Sequence, residues 1–341
     1  MDPKIKGDGA MKFADLFCGC GGLALGFRKA GFESVFAVDM DRDSCATYER
    51  NFGHAVHCGD IADVERLPAE VNVIVGGPPC QGFSLLGKMT PSEDRVGEHQ
   101  SMNKLWTQYF RLLEGCMPKA FVVENVPQML RSTEFKLIAA KAESLGYSIT
   151  ADVLKAENYE VPQLRRRAFI MGVRGGDPLL PAPSKRKLTV RDAIGDLPAK
   201  PDGNNWHIGR NPTKTSLERY KCVPPGGNRF DLMRARPDLT PQCWLNKPSG
   251  STDVFGRMRW DAPSFTIRTE FFKPEKGCYL HPSEDRPITH REAARLQTFP
   301  DDFQFVGGKT SVARMIGNAV PPMLAYHVAK ALRTSLGRTE S

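Results

Sequence analysis

The chain has 341 residues, of which 40% are hydrophobic and 25% are charged, and these proportions are ordinary for a globular protein. This length suffices for one large domain or two modest ones with buried cores. No apolar run approaches the roughly 18 residues of a membrane-spanning helix. The N-terminal stretch also lacks the basic-then-apolar order of a signal peptide. We therefore expect an intracellular protein of the cytoplasm.

The positive charge is concentrated in one part of the chain, whose net charge is +8. Residues 161–260 hold 19 lysines and arginines against 8 aspartates and glutamates, whereas the remainder holds 28 against 31. A localised basic excess is typical of a surface that binds a polyanion, although a solvated basic face has the same composition.

The nine cysteines do not indicate a disulfide framework, because their number is odd and their spacing is irregular. Cys18 and Cys20 form the closest pair, and no CxxC pair indicates zinc binding or thioredoxin-type chemistry. We expect no metal site, and we expect most thiols to be small buried side chains in a reducing compartment. Cys80 stands apart because of the rigid turn around it.

Short apolar segments alternate with helix-like segments over the first 175 residues. The predicted strands are 11–17, 34–39, 55–60, 71–77, 120–125 and 167–173. The predicted helices are 22–30, 42–51, 101–115 and 133–145. Because β-branched strands that alternate with helices are typical of an α/β fold, we predict a doubly wound, mostly parallel sheet.

The character of the sequence changes after residue 175. Residues 176–260 contain 11 prolines, many glycines and little periodicity. Trp206, Trp244 and Trp260 argue against disorder, so we predict a loop-rich second region. A helix is predicted from about residue 289, and a last helix is predicted over about 310–336.

The segment FADLFCGCGG runs from the first strand into the first helix through Gly19, Gly21 and Gly22. Glycines there allow a tight turn and the close approach of a ligand to the backbone. Asp39 and Asp60 follow the next two strands, at the sheet edge where an acid can accept hydrogen bonds from ribose hydroxyls. Because the pattern is not GxGxxG, a nucleoside without phosphates, such as S-adenosylmethionine, fits at least as well as NAD.

The segment VIVGGPPCQGFS places one thiol, Cys80, in a turn of glycines and prolines after the fourth strand. Glu124 lies near the end of the next apolar strand, and the segment QLRRR contributes Arg165 and Arg167. If QLRRR is extended, these two arginines share a face. The pattern predicts a nucleophile, an acid and a pair of anion-binding arginines around one cofactor cleft.

Six segments resemble the motifs of the bacterial C5-cytosine DNA methyltransferases of restriction-modification systems, in the family's order and nearly from end to end. They are 17–22 (FCGCGG), 76–84 (GGPPCQGFS), 124–126 (ENV), 163–167 (QLRRR), 291–300 (REAARLQTFP) and 317–322 (GNAVPP). Residues 176–288 lack a strong match, and the family has its variable target-recognition region there.

The resemblance implies that a methyl group passes from S-adenosylmethionine to carbon 5 of a cytosine within a short specific sequence of duplex DNA. Cys80 would attack carbon 6 of a flipped-out base and thereby make carbon 5 nucleophilic. Glu124 would offset the charge at ring nitrogen 3. Arg165 would bind the base carbonyl, with Arg167 nearby.

The same resemblance implies roles in binding the cofactor and DNA. Its cofactor residues are Phe17, Gly19, Gly21, Gly22, Asp39, Met40, Asp60, Ile61, Pro79, Leu105, Asn318 and Ala319. Its DNA-binding residues are Gln81 and Ser84 in a closing loop (81–102), Gln163, and Thr266 and Arg268 in the segment RWDAPSFTIRTEFF. Two positions depart from the family, because Met102 replaces an arginine and Met40 replaces an aromatic residue beside the ribose.

The predicted domains are a catalytic and cofactor-binding domain, 1–178 with 311–341, and a target-recognition domain with a hinge, 179–310. A tRNA cytosine-5 methyltransferase would use the same six motifs, but PPCQGFS and the basic insert favour DNA. A catalytically silent DNA-binding relative should lack the thiol or the acid. An NAD-dependent oxidoreductase fits neither the adjacent glycines nor the Cys80 turn. We expect a monomer that needs no bound restriction endonuclease, and the target sequence is not readable.

Overall fold

The structure is a computed structural model that describes residues 10–79, 94–246 and 249–339, with only the backbone for 94–104. The chain divides into two compact units. The first unit comprises Met1–Lys155, Arg166–Pro183 and Val320–Ser341, and the second comprises Ala156–Arg165 and Ser184–Ala319. The observed boundaries thus fall a few residues after the predicted ones, and Ala156–Arg165 lies in the second unit.

The first unit is built on a mostly parallel sheet. The strands of the described residues are β1 (Lys12–Leu16), β2 (Glu33–Asp39), β3 (His57–Cys58), β4 (Val73–Gly76), β5 (Ala120–Asn125), β6 (Tyr147–Lys155), β7 (Gln163–Leu164), β8 (Arg166–Arg174) and β9 (Ser264–Phe265). Seven of them form one sheet in the order β3-β2-β1-β4-β5-β8-β6. β1 to β5 pair in parallel, and β8 is antiparallel to both neighbours. The predicted α/β fold is confirmed.

Helices surround this sheet and form most of the regular structure of the second unit. They are α1 (Gly22–Lys29), α2 (Arg42–Phe52), α3 (Asp94–Cys116), α4 (Thr133–Ser144), α5 (Val190–Ile194), α6 (Lys214–Lys221), α7 (Arg229–Ala235), α8 (Gln242–Leu245), α9 (His290–Leu296), α10 (Lys309–Asn318) and α11 (Pro322–Thr339). None of these helices is both long and apolar enough to span a bilayer. The last predicted helix is in fact α10 and α11, because the chain is extended at Ala319 and Pro321 disfavours helical backbone just before it.

The core of the first unit covers both faces of the sheet. The Phe13 ring packs on Phe27 of α1, with centroids 5.6 Å apart. Ala14, the next residue of β1, belongs to a buried cluster with Tyr109 and Leu113 of α3. Because successive strand residues point to opposite faces, helices shield the sheet from water on both sides. Each large apolar side chain buried in this way contributes about 1.5–3 kcal/mol.

The second unit contains few strands and relies on buried polar groups. At the start of α9, Thr289 and Glu292 form a capping box, in which the Thr289 N–H donates to the Glu292 carboxylate at 2.7 Å. Arg286 donates two hydrogen bonds to the same carboxylate, at 2.7 and 2.9 Å. Burial alone would raise the pKa of Glu292, but the Arg286 guanidinium outweighs it and lowers that pKa. The pair thus remains ionised inside the unit.

His281 lies beside this pair and is neutral in the folded protein. Its Nδ1 accepts hydrogen bonds from the N–H groups of Ser283 and Glu284, at 3.3 and 3.1 Å. Burial lowers the pKa of His281 to about 4, and Glu292, whose Oε1 is 3.7 Å from His281 Nε2, opposes that shift only in part.

The pKa of His281 predicts a loss of stability in acid. An unfolded histidine binds its proton near pH 6.5, whereas folded His281 does so only near pH 4, so the unfolded state binds more protons between these values. We expect His281 to reduce the free energy of unfolding by about 1.4 kcal/mol per pH unit as the pH falls through this window. Thermal unfolding of the wild type and His281→Gln at pH 7.5 and pH 5 measures the effect. Equal losses in the two proteins would contradict it.

Candidate active site

The turn between β1 and α1 has an unusual backbone. Phe17, Gly19 and Gly21 all have left-handed φ angles, of 60°, 51° and 92°. A Cβ on Gly21 would lie 2.5 Å from Cε2 of Phe52, so only glycine fits there. The turn delivers Gly22 as the first residue of α1. The predicted cofactor turn is therefore a tight strand-to-helix connection at the carboxyl edge of the sheet.

Asp39 ties this turn to the end of β2. Its carboxylate accepts hydrogen bonds from the N–H groups of Gly19 at 2.8 Å and Asp41 at 2.9 Å. Burial raises the pKa of Asp39, and these two hydrogen bonds oppose the shift. A carboxylate held in this way by backbone donors is a rigid acceptor for the hydroxyl groups of a nucleoside.

Several predicted cofactor residues follow strands that end at the same edge. At the end of the β2–β3 ladder, Asp39 lies beside Cys58, and the exposed Asp60 follows two residues later. At the end of the β1–β4 ladder, Leu16 lies beside Gly76, and the exposed Pro79 follows three residues later. The other predicted cofactor residues differ in how exposed their side chains are. Met40 is 69% exposed, Ile61 is buried, and Leu105 is partly buried against the core of the first unit. Asn318 and Ala319 end α10 in the second unit.

Asp15 is a polar residue of this region that the motif analysis missed. It is 1% exposed in the middle of β1, and its Oδ2 has no hydrogen-bond partner in the structure. Burial, and then the charge of Asp39, raise its pKa well above the usual range for aspartate. The only sequence signal was a carboxylate inside the apolar run KFADLF. An orphaned buried acceptor beside a glycine turn fits a site that receives a polar ligand.

The predicted acid Glu124 is paired with Arg167. Arg167 Nε lies 2.8 Å from Glu124 Oε1, and the two side chains are only 20% and 12% exposed. The turn after β4 packs against the same acid, since a Cβ on Gly77 would be 3.1 Å from Glu124 Oε2. Asn125 Nδ2 donates to the Pro78 carbonyl at 3.0 Å and fastens the two strand ends together. The chain that leads into Cys80 therefore lies against Glu124.

Cys80, Gln81 and Ser84 themselves lie outside the residues that the structure describes.

Arg165 is in a different environment from Arg167. It is 1% exposed in the second unit, and its guanidinium donates to the carbonyls of Ile267 at 3.1 Å, Gly317 at 3.1 Å and Ala319 at 3.0 Å. These bonds hold backbone from two distant segments. These contacts are with main chain, whereas the family resemblance predicts that Arg165 binds the base carbonyl.

Gln163 extends this buried network. Its Nε2 donates to Gln297 Oε1 at 2.9 Å, and its Oε1 accepts from the Ile267 N–H at 2.9 Å. Gln297 in turn donates to the Ile316 carbonyl at 2.5 Å. Four of the segments singled out in the sequence therefore meet in one polar core, and Gln163, predicted to bind DNA, is fully buried there.

Thr266 and Arg268, which the resemblance predicts to bind DNA, both contact other side chains or main chain. Thr266 Oγ1 donates to the Leu164 carbonyl at 2.6 Å. Arg268 is about half exposed, and its Nη2 lies 2.7 Å from Asp253 Oδ2. Both residues therefore have protein partners in the second unit.

Comparison with known proteins supports the family indicated by the six motifs. Residues 11–334 match the C-5 cytosine-specific DNA methylases. The chain is 35% identical over 340 residues to type II methyltransferase M1.HphI of Haemophilus parahaemolyticus, covering 95% of this chain and 87% of that protein. It is 37% identical to M.PspPI of Psychrobacter sp. strain TA137, covering 93% and 78%.

A solved structure supports the same conclusion at the level of the fold. A prophage-encoded methyltransferase of E. coli superposes with a TM-score of 0.72 and 28% identity, covering 96% of this chain and all of that one. The family predicted from the motifs is thus confirmed. The chain belongs to the C-5 cytosine-specific DNA methylases, enzymes that methylate carbon 5 of cytosine in DNA.

Proposed function

We propose that Cys80, Glu124 and Arg167 carry out the chemistry on a cytosine that has flipped out of the duplex. The observation that supports this most directly is the ion pair of Glu124 with Arg167. Residues 77–79, which lead into Cys80, pack against this pair through Gly77. A nucleophile, an acid and a cation are the groups that attack on a neutral pyrimidine requires.

Each residue has a separate task. The Cys80 thiolate adds to carbon 6, the π electrons of the 5,6 double bond shift into the bond between carbons 4 and 5, and those of the double bond between carbon 4 and nitrogen 3 move onto nitrogen 3. Glu124, in its protonated form, donates a hydrogen bond to ring nitrogen 3 and offsets the charge that develops there. Carbon 5 thereby becomes nucleophilic and accepts the methyl group. Loss of the carbon 5 proton to a base then restores the double bond and expels Cys80.

Arg167, not Arg165, is the arginine we assign to the base carbonyl. Arg167 is partly exposed and neighbours Glu124, so a base that reached Glu124 would meet its guanidinium. Arg165 already donates to several main-chain carbonyls and is only 1% exposed, so a substrate has little access to it.

S-adenosylmethionine, when bound, supplies the methyl group as an electrophile. The residues of the first unit fit its adenosine portion. Asp39 would accept from the ribose hydroxyls, Asp60 would bind the adenine amino group, and Phe17 would pack on the adenine ring. The positive φ of Phe17 and the glycine at 21 support a backbone shaped for a ligand.

Duplex DNA within the cell is the substrate that we favour over tRNA. Transfer of labelled methyl groups to duplex DNA and to tRNA, measured in parallel reactions, distinguishes the two substrates. Label in DNA alone supports the proposal, and label in tRNA alone overturns it. We also propose that the enzyme acts as a monomer without an attached endonuclease, which sedimentation of the active enzyme tests.

Replacement of the nucleophile should separate binding from chemistry. We expect Cys80→Ser to abolish methyl transfer, because a serine hydroxyl is not ionised near neutral pH, yet to retain binding of DNA and cofactor. Filter-binding and methyl-transfer assays on the same preparation provide the comparison. Full activity of the variant would refute the role of Cys80.

Substitution of Arg165 and of Arg167 should affect different properties, the stability in the first case and the turnover in the second. We expect Arg167→Ala to lower turnover about 100-fold, by analogy with the loss of one donor to a developing charge, with little change in Tm. Arg165→Ala should lower the stability by about 3 kcal/mol, because it leaves buried carbonyls without donors. The exposed neighbour Arg166→Ala serves as a matched control. Turnover and thermal unfolding of all three variants measure both effects, and the opposite pattern would restore Arg165 as the base-binding residue.

DNA binding should weaken steeply with salt. The second unit carries 24 lysines and arginines against 17 aspartates and glutamates, whereas the first unit is nearly balanced at 23 against 22. Because cations that contact phosphates release counterions, we expect the Kd to rise about 1,000-fold between roughly 50 and 200 mM salt. Titration of a labelled duplex at several salt concentrations measures this slope. A nearly flat affinity would exclude the second unit as the main phosphate-binding surface.

A further inference from the structure

The short β7–β9 ladder of the second unit has an inverted polarity. Its buried residues, Gln163 and Ser264, are polar, and each is at most 1% exposed. Its exposed residues, Leu164 and Phe265, are apolar, at 41% and 48% exposure. A surface ladder normally buries its apolar residues and exposes its polar ones. Buried polar groups and exposed large apolar groups are the two deviations that indicate function.

Leu164 and Phe265 are direct partners in this ladder, so their side chains form one apolar step. The other large apolar side chains that are exposed in the described part of the chain lie on separate elements. These are Met40, Leu137, Leu245 and Val306. Single exposed apolar residues are common on proteins, whereas these two are adjacent and in register.

The backbone beneath the step is held rigidly. Ser264 donates to the Pro162 carbonyl through both its N–H, at 2.9 Å, and its Oγ, at 3.0 Å. Thr266 Oγ1 donates across the ladder to the Leu164 carbonyl. Arg165 and Gln163 fasten Ile267, two residues after Phe265, from its carbonyl and its N–H respectively. The backbone of the step is therefore preorganised for binding.

The charge around the step suits a nucleic acid. The second unit holds a net charge of +7, nearly all of the +8 of the whole chain. Arg268, three residues after Phe265, is about half exposed, and its guanidinium pairs with Asp253. An apolar side chain on a positively charged unit matches the chemistry of DNA, whose phosphates are anionic and whose bases are flat and apolar on their faces.

We propose that Leu164 and Phe265 form an apolar wedge that packs on the unstacked bases of the DNA substrate. The inference rests on the DNA-methylating function of the family and goes beyond it by assigning two contact residues. Removal of a base from the stack exposes the faces of its neighbours, and a rigid phenyl ring can cover such a face in place of the lost stacking.

The wedge can be tested once the target is known. Sequencing of plasmid DNA methylated by the wild-type enzyme identifies the target site. A duplex with that site then carries 2-aminopurine beside the target cytosine, so that fluorescence reports unstacking. We expect Phe265→Ala to raise the Kd for this duplex about tenfold and to reduce the fluorescence increase on binding. Phe265→Trp should retain both, because it preserves an aromatic face.

Leu137→Ala is the matched control, since Leu137 is 66% exposed but lies on α4 of the first unit, and it should behave like the wild type. Unchanged affinity and fluorescence in Phe265→Ala, with an unchanged Tm, would overturn the wedge. If the wild type is a dimer and Phe265→Ala is a monomer, the step binds a second copy of the chain, and the wedge proposal is overturned. Failure of the wild type to methylate plasmid DNA would instead contradict the function itself.

Discussion

The parallel pairing of β1 with β2 and β4, and of β4 with β5, is the constraint on which the site of the first unit depends. It brings the carboxyl ends of four strands to one edge, so the glycine turn, Asp39, the Gly77–Pro79 turn and Glu124 become neighbours without sequence proximity. The bond from Asn125 to the Pro78 carbonyl and the bond from Gly19 to Asp39 then connect adjacent strand ends. Sheet burial thus supplies the stability, and the turns of the site follow the ends of these strands.

The second unit achieves order in another way. It has little sheet, so buried cations and amides hold its loops by donating to main-chain carbonyls, as Arg165, Gln163 and Gln297 do. Arg257 does the same for the Val223 and His281 carbonyls, at 2.6 and 2.9 Å. Such networks are directional, and they fix particular loop shapes where apolar contacts alone would allow several. A loop-rich unit can in this way remain rigid without an extensive sheet.

Regular elements were predictable where a local pattern determined them. β5 and the core of β4 follow from apolar runs, and α2 and α4 follow from periodicity and their Asp41 and Ser132 caps. β6 was missed because TADVLK alternates weakly and only its long pairing with β8 makes it a strand. The break between α10 and α11 depended on Pro321, a local signal that the prediction underweighted. Asp15 was missed because a buried, unpartnered carboxyl is recognisable only once its surroundings are known.

The sequence by itself determined the family and the α/β class, because the motifs are short, ordered and local. The tertiary structure decided how the two arginines of QLRRR divide their work. Both occupy the same alternating pattern, so the sequence treats them alike. Arg165 meets carbonyls from residues 102 to 154 positions away, which only folding brings within reach. Arg167 instead pairs with Glu124, so the two arginines differ in their neighbours although their sequence context is alike.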